Sequence, residues 1–243
     1  MGCSPHAVSK TGLHPITPAG HCDHARAMKN KTWFLSCISA VVLAAGFVTG
    51  CATDNYQKGA GTASALTHSS ELIAKGGSQI DDSLAALNDL VSNPQPDLTI
   101  QFNAYALAVD NLDATAKDVA AKNQAMQAQG AAYFEGWDNE IATMQNEDIR
   151  NRSEARRNEV AARFAKISQQ YADARAAFQP FMSDLRDVQK SLATDLTSGG
   201  VSAIKDTAAK STRDAVPLKE TLARLSDQFR DLGKAMSPTT AAN

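Results

Sequence analysis

Residues 201–236 have the sequence VSAIKDTAAKSTRDAVPLKETLARLSDQFRDLGKAM. Apolar and small residues recur in this stretch at alternating intervals of three and four. They are Val201, Ile204, Ala208, Ser211, Ala215, Leu218, Leu222, Leu225, Phe229, Leu232 and Met236. An α-helix has 3.6 residues per turn, so this spacing places them along one side of a helix in the pattern of a coiled-coil seam. A seam of this length must be buried against other helices, and the stretch therefore predicts a helical bundle.

Three further segments carry helical spacing, and turn residues separate most of them. The first is Leu66, Ile73, Ile80, Leu84, Leu87 and Val91; the second is Leu98, Phe102, Tyr105, Val109, Leu112, Ala116 and Val119; the third is Val160, Phe164, Ile167, Tyr171, Ala174, Phe178, Phe181, Leu185, Val188 and Leu192. The prolines at 93–97 and the glycines at 197–200 break the chain between helices. No alternating strand pattern occurs after residue 50. We expect an all-α fold over residues 66–236, an elongated antiparallel helical bundle with coiled-coil heptad packing.

The connection between the second and third seams is ambiguous. Steps of seven from Val119 arrive at Ala161, whereas the third seam runs through Val160, so the register slips between residues 144 and 160. A slip indicates either a stutter in one helix over residues 97–196 or a turn between two helices. We favour a turn near residues 145–150, which would make the two helices antiparallel.

An export signal precedes the bundle. The stretch Trp33–Val48 is uncharged and follows two lysines, as in a secretory signal peptide. The next residues complete Val-Thr-Gly-Cys at 48–51, which resembles the bacterial lipobox. The resemblance implies cleavage between Gly50 and Cys51 and acylation of the Cys51 thiol and amino terminus. The alternative is a plain membrane anchor, for which the run is slightly short.

The remaining segments follow from this signal. Residues 1–50 would be leader and signal peptide, with Met28 a better start than Met1. Residues 51–65 are rich in Gly, Ala, Ser and Thr, and we expect a flexible tether there. Residues 237–243 would be a polar tail. Because Ala52 rather than Asp follows the cysteine, the resemblance implies a lipid-anchored protein on the periplasmic face of the outer membrane of a Gram-negative bacterium.

Composition argues against several classes of function. The chain carries 24 basic and 26 acidic residues, and removal of residues 1–50 leaves 20 and 25, a formal net charge of about −5. This gives no attraction to nucleic acid. After residue 50 the only cysteine is Cys51 and the only histidine is His68, so neither a disulfide nor a histidine-rich metal site can form within residues 51–243. No nucleophile or phosphate-loop motif occurs. We expect no enzymatic activity, cofactor or metal.

Two local clusters are candidate contact sites. One contains the basic residues Arg150, Arg152, Arg156, Arg157 and Arg163, which could bind phosphate groups or an acidic partner. Acidic residues lie between them, however, and a solvated helix face explains the pattern more simply.

The other cluster holds three aromatic residues. Tyr133 and Trp137 continue the second seam and are expected in the core, whereas Phe134 lies off the seam and is the better candidate for an exposed contact.

Three segments together carry a family resemblance. They are YFEGWDNEI at 133–141, RNRSEARRNEVAARF at 150–164 and FQPFMSDLRDVQKSLATDLT at 178–197. With the lipobox, they resemble a family of uncharacterised proteobacterial lipoproteins classed as a domain of unknown function, over most of residues 51–236. Members are sometimes labelled DNA repair ATPases. This chain has no nucleotide-binding loop, so the label does not fit it.

These observations favour a membrane-anchored, non-catalytic helical module that acts as a spacer, scaffold or partner-docking unit in the cell envelope. The first alternative is an envelope ligand-binding module or enzyme using carboxylates, which predicts a deep pocket with converging Asp or Glu. The second is a coiled-coil homo-oligomer, because the seams could also pair between chains.

Overall fold

Long helices account for nearly all of the structure, a computed structural model that describes residues 51–238. The helices are α1 (Cys51–Ser92), α2 (Thr99–Thr143), α3 (Glu147–Thr194), α4 (Ser198–Ala203) and α5 (Lys205–Met236). Residues 51–238 contain no strand. The helices pack antiparallel, which confirms the predicted all-α bundle. The longest, α3, has 48 residues and extends over about 72 Å at 1.5 Å per residue.

The four long helices form a ring. Helix α1 packs against α2 and α5, and α3 packs against the same two helices, so that α1 and α3 lie on opposite sides of the bundle. The seam residues turn towards the centre of this ring. Within the α5 seam only Leu222 and Met236 remain half-buried, and within the α3 seam only Phe178 does. The heptad pattern therefore identified the buried faces of α3 and α5.

The core has two parts that meet halfway along the bundle. One extends from the α1–α2 turn and includes Tyr105, Leu112 and Phe181. The other extends towards the first residue of α1 and includes Met126 and Phe229. Leu222 packs against both parts. The two parts together fill most of the bundle interior.

A turn at residues 144–146 separates α2 from α3. The Asn146 side chain accepts hydrogen bonds from the backbone N–H groups of Asp148 and Ile149, both at 3.1 Å, and so caps α3. The predicted turn near 145–150 is confirmed, and the register slip reflects two helices rather than one stuttering helix. The sequence signal is this asparagine at the helix start, in a turn without Gly or Pro.

The last helical segment is divided. Thr197 caps α4 by accepting a hydrogen bond from the Gly200 N–H, and the chain then turns at Ile204 before α5 begins. A side chain at position 200 would come within 2.0 Å of the Asp195 carbonyl oxygen. Glycine is therefore required here by the close approach of the preceding loop.

The prediction of a flexible tether at residues 51–65 is wrong for the structure, because α1 begins at Cys51. Packing explains the difference. Ala63 and Leu66 are almost completely buried, Gly59 lies against the Tyr133 ring, and Thr62 donates a hydrogen bond to the Lys58 carbonyl at 2.8 Å. The burial of Ala63 and Leu66 and the contact of Gly59 with Tyr133 outweigh the weak helix propensity of the Gly-rich and Thr-rich composition.

Helices α1 and α5 approach each other closely through small residues. Ser226 donates to the Ser70 carbonyl oxygen at 3.0 Å, and both serines are buried. Nearer the start of α1, a side chain on Gly233 would come within 3.0 Å of the Ala63 carbonyl oxygen and 2.8 Å of Thr67 Oγ1. The absence of a side chain at position 233 therefore sets the distance between these two helices.

Candidate functional site

Several predicted site residues lie at one end of the bundle, which we call the Cys51 end. Cys51 is the first residue of α1, and Asn55 in the next turn lies against α2 at Gly136. Arg156 in α3 donates to the Ala235 carbonyl oxygen at the end of α5 at 3.2 Å. The Cys51 end therefore also contains the α2–α3 turn and the last turn of α5. Gly50 and the rest of the predicted leader fall outside the described residues.

The five arginines of the predicted anion site are each paired with a carboxylate. The pairs are Arg150–Glu147 at 3.9 Å, Arg152–Asp148 at 3.4 Å, Arg156–Glu159 at 2.7 Å, Arg157–Asp138 at 2.6 Å and Arg163–Glu159 at 3.9 Å. Arg156, with Arg163 beside it, holds the pKa of the Glu159 carboxyl below its usual value. Four of the pairs lie within α3 at intervals of three or four and form a solvated helix face, each worth a few tenths of a kcal/mol. The pair Arg157–Asp138 instead joins α3 to α2.

Phe134 is half-buried rather than exposed. Its ring meets Phe164 edge to face at a centroid distance of 5.6 Å, and the Arg157 guanidinium lies 5.4 Å from its centroid. These contacts tie Phe134 into the packing between α2 and α3. The sequence placed it off the seam correctly, but an off-seam position at this level still faces a neighbouring helix.

The other two aromatics of this cluster are half-buried and have specific partners. Trp137 Nε1 donates to Ser153 Oγ at 2.9 Å. Burial raises the pKa of the Tyr133 hydroxyl, and the nearby Arg156 opposes the shift. Their positions between α1, α2 and α3 agree with a structural role.

Among residues 51–238 no three His, Cys, Asp or Glu side chains come together in a way that could hold a metal ion. His68 is exposed and lies 3.6 Å from Glu71 on the same helix. No helix in this part of the chain combines the length and the apolar composition needed to cross a bilayer.

A second heptad stripe, which we call the α2 face, runs along the outside of α2. Its ten exposed positions follow intervals of four and three, and only Asn111 and Asp118 among them are polar. The others are Ile100, Ala104, Leu107, Ala114, Ala121, Ala125, Ala128 and Ala132. Ile100 is 77% exposed and Leu107 is 62% exposed. The 4, 3 spacing of this stripe is present in the sequence, but the stronger buried seam on the same helix obscures it.

An apolar cavity of about 70 Å³, which we call the central cavity, lies where the two core parts meet. All four long helices line it, and none of the lining residues is Asp or Glu. The residues are Leu72, Ile73, Gly76, Leu112, Thr115, Ala116, Val119, Tyr171, Ala174, Arg175, Phe178, Leu222 and Leu225. The cavity therefore lacks the converging carboxylates that a carboxylate-based enzyme would need.

Comparison with known protein families gives one result. Residues 63–230 match the family model described as a protein of unknown function (DUF2959). The chain belongs to the DUF2959 family. The matched region begins in the fourth turn of α1 and ends within α5, before its last residues, and it confirms membership of a family of unknown function. No curated protein and no solved structure matches the chain.

Proposed function

We propose that this DUF2959 protein is a lipid-anchored, non-catalytic helical module that docks a helix of another cell-envelope protein through the α2 face. The observation that carries the proposal is the exposure of Ile100 and Leu107 on a continuous heptad stripe. A stripe of this kind in a soluble bundle matches the surface that a further helix would cover.

The composition of the α2 face suits close helix packing. Ile100 and Leu107 provide apolar surface, and burial of a side chain of this size contributes about 1.5–3 kcal/mol. The alanines beyond Leu107 have short side chains, so a partner helix could pack closely against α2. The distance between the two helix axes would then be near the lower limit of the usual 8–10 Å range. Asn111 and Asp118 would fix the register of the pairing, since a polar seam residue needs a partner for its polar atoms.

The proposed anchor is Cys51, acylated after cleavage at Gly50, with the bundle on the periplasmic face of the outer membrane. The start of α1 at Cys51 supports a short connection between lipid and bundle. In this arrangement the Cys51 end faces the bilayer, and Ile149 in the first turn of α3, 57% exposed, lies at that end. A three-chain lipid gives a practically permanent anchor, because each buried CH₂ contributes about 0.8 kcal/mol.

The anchor is tested by membrane fractionation of cells that express a Cys51→Ser variant. We expect the variant to leave the outer-membrane fraction, and wild-type protein to carry the mass of attached acyl chains. Recovery of the serine variant in the outer membrane at the wild-type level contradicts the lipoprotein assignment.

Docking is tested with Leu107→Glu and with Val216→Glu as a matched control. Val216 is 60% exposed on α5 but has charged residues, Arg213 and Glu220, at the neighbouring positions on its own face. Native gels of detergent extracts should show a larger complex for wild type and for Val216→Glu, and its loss for Leu107→Glu. An equal effect of the two variants removes the α2 face as the docking surface.

A homo-oligomer is the second candidate, and the order of residues along the α2 face favours it. The large residues lie near one end of the stripe and alanines occupy the other. Antiparallel pairing of two α2 helices about a two-fold axis would set Leu107 of each chain against the small residue Ala125 of its partner. Light scattering of purified protein distinguishes the two candidates. A dimer mass that falls to the monomer mass in Leu107→Glu selects self-pairing, whereas a monomer in both proteins selects a different partner.

The paired arginines are tested separately. Reversal of Arg156 and Arg157 to Glu should leave retention on vesicles of anionic lipid unchanged, because both side chains already bind carboxylates. A clear loss of retention in the double variant restores the phosphate-binding hypothesis.

A further inference from the structure

The central cavity has an identifiable origin in the sequence. At the level where the two core parts meet, the lining includes Gly76 on α1, Ala116 on α2 and Ala174 on α3. Protein interiors normally pack at the density of organic crystals, and larger seam residues fill the bundle above and below this level. A side chain on Gly76 would have its nearest neighbour, Thr115 Cγ2, at 4.0 Å. Gly76 is therefore not required by close helix contact.

The mouth of the cavity is polar. Tyr171 and Arg175 line the central cavity and also line an adjoining groove between α2 and α3. This groove has a volume of about 490 Å³, and its other lining residues are Asn123, Gln127, Ser168, Ala172, Ala176 and Gln179. The apolar central cavity thus opens, past the Tyr171 phenol and the Arg175 guanidinium, into a polar groove. The site as a whole therefore has an apolar end and a polar end.

Three polar groups near this mouth make no hydrogen bond or ion pair with the described residues, and of these Arg175 is exposed to solvent. Asn123 is 9% exposed, and its Oδ1 atom makes no hydrogen bond. Arg175 makes no ion pair among the described residues, whereas the five arginines of the Cys51 end all do. The hydroxyl of Tyr171, itself 9% exposed, has no hydrogen-bond partner within residues 51–238. A buried amide left without a partner costs about 1–3 kcal/mol in a protein, and an acceptor at the mouth would give the Asn123 side chain a partner once its N–H is turned outward.

We propose that the bundle binds a small amphipathic monocarboxylate, with its alkyl chain in the central cavity and its carboxylate held at the mouth by Arg175, Tyr171 and Asn123. Arginine provides two parallel N–H donors that match a carboxylate. The phenol donates its O–H, and the amide of Asn123 can turn to donate an N–H, since its oxygen and nitrogen are interchangeable in position. Burial raises the pKa of Tyr171, against the opposing effect of Arg175, and so keeps the hydroxyl protonated as a donor at neutral pH.

The cavity volume limits the length of the chain. A cavity needs roughly 10–15 Å³ to hold one water molecule, and a methylene group takes about the same space. A cavity of about 70 Å³ therefore offers space for about five to seven carbon atoms. With the carboxyl carbon at the mouth, the expected ligands are carboxylates from hexanoate to octanoate. The proposal is independent of partner docking, because Ile100 and Leu107 do not line the cavity.

The proposal is tested by isothermal titration of straight-chain carboxylates from butanoate to dodecanoate, with octanol as the uncharged probe. The protein used is the chain from residue 51 onward carrying Cys51→Ser, which needs no detergent and keeps every residue of both core parts. We expect saturable binding that is tightest between hexanoate and octanoate and at least about tenfold weaker for octanol. Equal binding of all chain lengths, or no saturable binding at all, overturns the proposal and leaves the cavity an empty packing defect.

Two adjacent glycines provide a matched pair of variants. Gly76→Leu fills the central cavity, whereas a side chain on Gly77 has no heavy atom within 4 Å. We expect Gly76→Leu to lose carboxylate binding and to melt at a higher temperature than wild type, because it fills a void and replaces a helical glycine. Gly77→Leu should bind the same carboxylate with a dissociation constant within about twofold of the wild-type value. Loss of binding together with a raised melting temperature cannot be due to unfolding, and retention of binding by Gly76→Leu contradicts the proposal.

The role of the mouth is tested with Arg175→Gln. We expect this variant to bind octanoate at least about tenfold more weakly than wild type, with octanol binding unchanged. If Gly76→Leu folds poorly, Gly76→Ala serves in its place and should shift the chain-length optimum towards shorter carboxylates. An Arg175→Gln variant with wild-type affinity for octanoate shows that the carboxylate is not held at this mouth.

Discussion

The close approach of α1 and α5 at Gly233 gives the sharpest stability prediction. A methyl group added by Gly233→Ala would lie 2.8 Å from Thr67 Oγ1 and 3.0 Å from the Ala63 carbonyl oxygen. Ordinary contacts of a methyl carbon are 3.4–4 Å, so α1 and α5 would have to separate by a few tenths of an ångström. Overpacking of this kind costs about 1–3 kcal/mol, against a gain of about 1 kcal/mol in helix propensity.

Gly77→Ala is the matched control, because it has the same propensity gain and no neighbour within 4 Å. We expect Gly77→Ala to raise the free energy of unfolding by about 1 kcal/mol, and Gly233→Ala to lower it by up to about 2 kcal/mol. At about 2–4 °C per kcal/mol for a chain of this size, the melting temperatures of the two variants should differ by roughly 2–12 °C.

The assay is thermal unfolding followed by circular dichroism, with the fluorescence of Trp137 as a second probe. Trp137 is the only tryptophan in the bundle and is hydrogen-bonded to Ser153 across the α2–α3 pair. Equal stabilisation by the two variants would show that α1 and α5 are further apart than described, and the assigned role of Gly233 would then be wrong.

Three further predictions concern caps and titrating groups. Asn146→Ala should lower the free energy of unfolding by about 0.5–2 kcal/mol in urea titrations, since it removes both hydrogen bonds at the start of α3; an unchanged midpoint would mean that Asn146 does not cap α3. Burial raises the pKa of Tyr105, whose hydroxyl donates to the Leu185 carbonyl oxygen at 2.7 Å. The contribution of this hydroxyl to the free energy of unfolding is therefore complete below pH ~10 and is lost as the pH rises above that value. Tyr105→Phe should weaken this alkaline loss of stability, and a pH–stability profile identical to that of wild type would refute the assignment. Burial opposes the charge of Asp113, but hydrogen bonds, among them that from Arg186, hold its pKa below the usual value. The contribution of the ionised carboxylate to the free energy of unfolding is therefore present above pH ~4 and is lost as the pH falls. Asp113→Asn should flatten the loss of stability at acid pH, and a loss as steep as that of wild type would contradict the pairing.

The sequence predicted the main architecture because long seams leave few alternatives. The α5 seam from Val201 to Met236 and the α3 seam from Val160 to Leu192 are buried along almost their whole length. Seams of this length can be satisfied only by other helices. The break at residues 93–97 was equally clear, since it holds two prolines close together and each disfavours helix in the residue before it.

Features that depend on tertiary contact could not be predicted in the same way. Residues 51–65 have the composition of a tether, and they become helical because Leu66 and Ala63 are buried against α5. Phe134 lies off the seam, but the wide groove between α2 and α3 still partly buries it. Composition and spacing carry no information about such neighbours.

The candidate sites also include features that the local sequence determines and features that depend on tertiary contact. Most ion pairs of residues 147–163 could be read from the sequence, because partners at intervals of three and four are local, whereas the pair Arg157–Asp138 depends on the packing of α3 against α2. The central cavity depends on small residues from three helices that meet at one level, and only the packed structure brings Gly76, Ala116 and Ala174 together. The α2 face was visible in the spacing, but its exposure was not.

The central claim, that a lipid-anchored bundle docks a partner through the α2 face, is tested most directly by photocrosslinking in living cells. A photoreactive amino acid is placed at position 107 or, as the control, at position 216, in protein that retains Cys51. We predict one discrete crosslinked product from position 107, none from position 216, and loss of the product when Ala114→Glu is added on the same stripe. Equal crosslinking from both positions, or a product from position 107 that survives the added glutamate, would contradict the account.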